Sequence, residues 1–297
     1  MYKKITSLKQ VFLIFTVLFA LSGCKTTQYL LRDRYSDPLV LPVEELCPSE
    51  INWKTEKQTG NSIQTTGNVI HSTNSKWQCI KIDLNAPGLE IAAAPEGNNS
   101  KAQKRFFLQN FSQKHKTAAA INTVPFTMED KLYKPVNIVK INDKTIFPYT
   151  HGMAALGLRE IETEEGICYR AVIIDSNNED EIEQCKYAFG GFYTILNKQL
   201  IYEYSKEKRS RSAAGISDDG RYLYLFAGCG INSPTGRSGF NFEECAIILQ
   251  ALGCTYAMEF DGGHSTGLTI KNKNLVKPSL QRQVPAAFGI KISNKTN

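Results

Sequence analysis

Beyond residue 21 the sequence has no apolar run near the ~20 residues that a membrane-spanning helix needs. No later segment is therefore expected to cross a bilayer as a helix. No pair among the eight cysteines has zinc-finger spacing, so a structural zinc is not expected. Strong charge of one sign is also missing. The formal net charge is +6 over 297 residues, and there is no basic helix or RNA-binding motif, which argues against nucleic acid as a partner. Internal repeats and long low-complexity tracts are absent, which excludes a solenoid. Regular alternation of strand and helix is absent too, which argues against a doubly wound parallel sheet.

The first residues carry a localisation signal. Met1 to Gln10 holds Lys3, Lys4 and Lys9 and no acid, and Val11 to Leu21 is apolar. Leu21-Ser22-Gly23-Cys24 follows. Charged, apolar and small-residue regions in that order make a secretory signal. The last four residues resemble a bacterial lipobox, which implies cleavage before Cys24 and a lipid on its thiol. A plain secreted protein or an uncleaved anchor is the alternative. The expected location is the cell envelope, periplasm-facing or surface-exposed, with contact to the membrane through that lipid. Loss of residues 1–23 removes three lysines and no acid, so the charge falls from +6 to +3.

Residues 24–66 are polar and weakly periodic. They read as a tether and irregular lead-in, with Cys47 and Trp53 packing on the body. The domain proper is expected over 67–297, long enough for a sizeable core. Seven cysteines remain beyond Cys24, an odd number, so at least one stays unpaired within the chain. Cys168 and Cys185 flank a strand and an acidic loop that a disulfide could staple. Cys245 sits at helical spacing from Leu249 and Leu252 and reads as a buried small hydrophobe.

Strand signals outnumber helix signals. The apolar pattern predicts strands over 80–84, 89–93, 117–121, 169–174 and 222–227. It predicts hairpins turning at Asn142-Asp143-Lys144 and Asn197-Lys198. A helix is expected over Ser100 to Lys114. A second starts at Asn241, where Asn-Phe-Glu-Glu makes a capping box, and stops at Gly253. The fold class is α+β, with mixed, strand-rich sheets and a few packed helices.

The densest chemistry lies in Glu259-Phe-Asp261-Gly262-Gly263-His264-Ser265-Thr266-Gly267. Residues 254–260 read as a strand, which puts Glu259 and Asp261 on one face and Met258 and Phe260 on the other. Glycines after a strand-end carboxylate let the backbone turn and approach a ligand. The bland alternative is an Asp-Gly hairpin. Two acids on one face also admit a divalent cation, although two are few for an oxygen-ligand site. Otherwise no cofactor is expected.

Four stretches, in order, resemble the phosphodiester glycosidase family. These are Ala119-Ala-Ile-Asn122, Phe189-Gly190-Gly191-Phe192, Ser210-Arg211-Ser-Ala-Ala-Gly-Ile216, and the block Asn241 to Thr266. The resemblance spans roughly 69–292 and closes on Val284-Pro285-Ala-Ala-Phe-Gly-Ile290. The sequence departs from the family at Thr123, at Phe192 where Pro is common, at Glu259 where Asn is frequent, and at His264 where Gly or Ser is frequent. What the resemblance implies is hydrolysis between a sugar's anomeric carbon and a phosphodiester oxygen, with a carbohydrate or sugar phosphate as substrate. A glycan-binding lipoprotein of the same fold without the chemistry is the runner-up.

A phosphate leaving group is already acidic, so the needs reduce to a carboxylate near an oxocarbenium-like centre, a base for water and a cation for the phosphate. Asp261 is the first choice for the carboxylate, with Glu259 and His264 as further catalytic candidates. His264 reads either as the acid or base or as a rim contact to substrate. Arg211 suits phosphate through its planar fork, or else is solvated or paired with an acid. Asn122 would orient a sugar hydroxyl or Asp261, or is a turn residue. Gly190, Gly191, Gly262 and Gly263 would let backbone approach the substrate, with Ser265 and Thr266 as donors. His71, His115 and His151 are not expected to be catalytic.

Overall fold

The computed structural model describes residues 40–56, 59, 62–95, 104–129, 132–164, 166–231 and 238–293. The leader and Cys24 lie outside them. The described residues form an α+β fold whose paired strands all run antiparallel. The largest sheet has eight strands. In spatial order they are Lys54–Thr55, Ile63–Ile70, Ser75–Asp83, Tyr222–Gly230, Arg211–Ile216, Tyr256–Glu259, Thr194–Asn197 and Leu200–Ile201. One five-stranded sheet runs Gly166–Ile174, Ala155–Thr163, Tyr187–Gly190, Val139–Ile141 and Lys144–Phe147. The other runs Lys273–Val276, Leu268–Ile270, Ala119–Asn122, Ala287–Ile292 and Leu89–Ala94.

Alternation along the strands explains the layering. In Ser75–Asp83, Ile80 and Ile82 join a core shared with Leu156, Phe189, Ile121 and Phe288 of the two smaller sheets. Trp77 and Cys79 point the other way, toward helix α3, Phe242–Ala251. The same rule holds around the site. Ala214 and Met258 face the inner core, whereas Ala213 and Ala257 face the α3 layer. Arg211 and Glu259 are two residues from Ala213 and Ala257 respectively, so they emerge on the α3 side.

Helix α3 begins as its sequence predicts. The Asn241 side chain accepts from the Glu244 amide at 2.8 Å, and the Glu244 carboxylate accepts from the Asn241 amide at 3.1 Å. The second Glu244 oxygen binds Lys208 Nζ at 2.6 Å and the Leu41 amide at 3.1 Å, which ties the lead-in to the helix. The lead-in is more structured than its polar composition suggests. Helix α1, Val43–Leu46, buries Leu46, and the Leu46 carbonyl accepts from the Trp77 indole at 2.8 Å. Strand structure starts at Lys54, and position 67 falls inside the strand Ile63–Ile70.

Two local expectations shift. Helix α2 spans Leu108–His115, with Phe107 as its N-cap, instead of starting at Ser100, which lies outside the described residues. Phe106 is instead drawn into a β-bridge with Val284. Cys168 and Cys185 are both free and buried. Among the described residues no helix is long and apolar enough to cross a membrane.

Candidate active site

The strand Tyr256–Glu259 ends at Glu259, and Asp261 follows it into a cleft of about 450 Å³. The Asp261 backbone is held from both sides. Its amide donates to the Thr123 carbonyl at 2.8 Å, and its carbonyl accepts from Asn122 Nδ2 at 2.7 Å. Gly262 passes so close to the Ser210 carbonyl that a Cβ there would lie 2.7 Å from it. Gly263 has φ +60° and donates its amide to the same carbonyl at 2.7 Å. A 3₁₀ turn, Gly263–Ser265, follows instead of a hairpin. The glycines therefore do what the sequence pattern requires of them: they fold the chain back under the carboxylate.

Asp261 is almost fully buried, and its Oδ2 accepts from Arg282 Nη2 at 2.9 Å. Burial raises its pKa, against which the Arg282 charge, the Ser265 hydroxyl and the Gly262 amide all pull downward. Arg282 is fixed in turn. Its Nε donates to Ser265 Oγ at 2.5 Å, its backbone amide donates to the His264 carbonyl at 2.8 Å, and its guanidinium lies 4.5 Å over the Phe126 ring. Side-chain exposure is 47% for Arg282 and 9% for Asp261, so the pair sits at the boundary between cleft and interior.

Arg211 also lines the cleft, though only 6% exposed. Its Nε donates to the Phe240 carbonyl at 3.0 Å and its Nη2 to the Glu207 carbonyl at 2.8 Å. The guanidinium carbon lies 3.9 Å over the Phe242 ring. Among the described residues it forms no ion pair and its Nη1 has no partner. The other two cleft arginines are committed: Arg282 to Asp261, and Arg209 to Glu207 at 2.8 and 2.9 Å. One unneutralised, rigid cation beside a carboxylate is a setting for an anion. The aromatic side chains Phe192, Tyr193 and Phe242 also line the cleft, and Tyr193 stacks on Tyr204 at 4.5 Å.

The expected site residues divide into two groups. Arg211, Asp261, Gly262, Gly263 and His264 line the cleft, and His264 Nε2 has no partner among the described residues. The others lie behind it. Asn122 is fully buried, and its Oδ1 accepts from Ser212 Oγ at 2.8 Å and the Gly267 amide at 3.0 Å. It is a clamp joining three segments at Asp261. Asn122→Ala should therefore lower stability by on the order of 3 kcal/mol, because buried partners lose their bonds; thermal unfolding measures it. Gly191 packs where a Cβ would lie 2.1 Å from the Glu259 carbonyl, and Gly190 packs against Asn137. Ser265 holds Arg282, while Thr266 is buried with its hydroxyl unpartnered among the described residues. Glu259 is fully buried, does not line the cleft, and makes no hydrogen bond through either carboxylate oxygen. Glu259 and Asp261 thus do not share the cleft, and no cluster of three or more metal-ligating side chains occurs among the described residues.

A family model for phosphodiester glycosidases matches residues 115–291. The chain belongs to that family. Every expected site residue but Cys24 falls inside the match, as does Arg282. Among solved structures, a hypothetical protein from Synechocystis aligns with TM-score 0.61 and 17% identity, over 79% of this chain and 63% of that one. The chain thus covers less than two thirds of that protein. The catalytic domain of zebrafish N-acetylglucosamine-1-phosphodiester alpha-N-acetylglucosaminidase, auto-inhibited by its pro-peptide, aligns with TM-score 0.60 and 14% identity, over 82% and 88% of the two chains. At these identities the likeness shows the fold. A comparison with curated protein sequences finds no match.

Within this phosphodiester glycosidase domain, sequence reasoning missed Arg282 and the aromatic lining. Arg282 sits in Gln281-Arg-Gln283, a short polar segment without periodicity. Its only signal was proximity to the closing Val284-Pro285 element. Tyr193 followed directly on the Gly190-Gly191-Phe192 element and could have been read from it.

Proposed function

We propose that the protein is an envelope-anchored glycosidase that hydrolyses sugar phosphodiesters between the anomeric carbon and the phosphate oxygen. The observation that carries this reading is Arg211, held on two carbonyls with its charge unneutralised, in one cleft with Asp261. In the proposed mechanism the phosphate sits against Arg211 and the outer edge of Arg282. Asp261 then faces the anomeric centre, where its ionised form stabilises the developing positive charge or takes a proton from water. Its bonds to Arg282 and Ser265 hold the carboxylate in one orientation before substrate arrives. No acid is needed at the leaving oxygen, because phosphate leaves as an anion. His264 is placed to contact the substrate or to move a proton, and the aromatic lining offers flat apolar surface to a sugar ring.

The direct test is release of reducing sugar from a panel of sugar 1-phosphodiesters. Wild-type turnover supports the reading. Glycan binding without turnover would replace it with a binding lipoprotein of the same fold. Arg211→Lys keeps the charge but loses the fork, the carbonyl clamps and the stack on Phe242. Its KM should rise about 10- to 100-fold, as expected for losing a charge-assisted hydrogen bond, with a smaller change in kcat. The anchoring part of the proposal rests on Leu21-Ser22-Gly23-Cys24. Cys24→Ala should move the protein out of the membrane fraction or block its processing, as read by fractionation and intact mass.

A further inference from the structure

Glu259 has an unusual setting. It is a carboxylic acid with zero exposure and no hydrogen bond to either oxygen. Its strand places it beside Arg211, the one cleft arginine among the described residues that forms no ion pair. Glu259 pairs across the sheet with Ala213, and Arg211 precedes Ala213 by two residues on the same face. Such diagonal neighbours lie within reach of long side chains. The titratable and charged groups that face Glu259 are Arg211 from the adjoining strand and the Cys245 thiol from α3. The other flanking strand, Thr194–Asn197, contributes none. Glu259 does not line the cleft, so any effect on substrate passes through Arg211.

We propose that Glu259 is a positioning residue that sets the charge Arg211 presents to the cleft, so that binding of a phosphodiester draws a proton onto Glu259. This rests on the phosphate reading of Arg211 given above. When the carboxyl is neutral, Arg211 offers its full positive charge to an anion. When it is ionised, it offsets that charge and the anion is held less well. An anion at Arg211 in turn favours the neutral carboxyl, because binding and protonation are linked. Burial brings both forms within reach near neutral pH by pushing the Glu259 pKa up to about 7, with the Arg211 charge pulling it back.

The experiment titrates the protein with dimethyl phosphate, whose single charge is constant near neutrality and which has no glycosidic bond to cleave. Calorimetry in buffers of different ionisation enthalpy counts the protons taken up. Other ionisable groups line the cleft, Asp261 among them, so the readout is the difference between wild type and Glu259→Gln. Wild type should take up protons on binding and lose roughly tenfold more affinity than the Gln variant between about pH 6 and about pH 8, a loss of about the size that one added charge a few ångströms away produces at an effective dielectric of about 20. Identical proton uptake and identical pH dependence in the two proteins would overturn the proposal.

A second measurement needs neither binding nor the Glu259→Gln variant. The carboxyl-carbon resonance of Glu259 should titrate at a higher midpoint in Arg211→Gln than in wild type. An unmoved midpoint overturns the proposal. A moved midpoint without any binding of dimethyl phosphate leaves the Glu259–Arg211 coupling standing and counts against the phosphate reading instead.

Discussion

Asp261→Asn should reduce turnover of a sugar phosphodiester by about 10²–10⁴-fold, the range for loss of a positioned acid or base. Fold and substrate affinity should survive. Asn keeps an acceptor for Arg282 and Ser265, and the clamps on the Asp261 backbone do not involve its side chain. Removing a buried carboxylate also relieves a desolvation cost, so the melting temperature should hold or rise. Release of reducing sugar and a thermal melt together decide the matter. Full activity in a folded variant would move the chemistry to His264, which lines the same cleft.

Arg282→Gln should produce the next largest effect, and one with a direction in pH. Burial raises the Asp261 pKa, and the Arg282 charge is the largest influence holding it down. Without that charge the folded-state pKa rises further, so Asp261 stays protonated to higher pH. Because the proposed mechanism uses the ionised form, activity should be lost as pH falls, and the acid limb of the rate profile should move to higher pH. At neutral pH the loss of a charge-assisted hydrogen bond should cost about 10- to 100-fold. An acid limb at the wild-type position would show that Asp261 is not the group whose ionisation the rate reports.

The features legible in the sequence are those made by neighbours along the chain. The Asn241–Glu244 capping box spans three residues and forms as expected. The turn at Asn142-Asp143 forms with both residues at positive φ, as a tight hairpin needs. The strand 254–260 could be read with its correct faces, because alternation is a property of the strand itself. The motif Asp261-Gly262-Gly263 marked the cleft because a carboxylate followed by glycines makes chemical sense without knowing what lies across from it.

What the sequence by itself determined was therefore the α+β class, the family and the place of the carboxylate. Tertiary structure decided the partners. Arg282 meets Asp261 across 21 residues, Arg211 finds the Phe240 carbonyl across 29, and Asn122 reaches Asp261 across 139. It also decided that Glu259, two residues from Asp261, is sealed under α3 while Asp261 opens to the cleft. The residues share a face by alternation. The difference arises because Glu259 is still within the sheet, covered by the helix, whereas Asp261 lies past the strand end, where α3 no longer covers it. Local periodicity gives the direction of a side chain, but only the packing of distant segments decides whether that direction leads to solvent, to a substrate or to the underside of a helix.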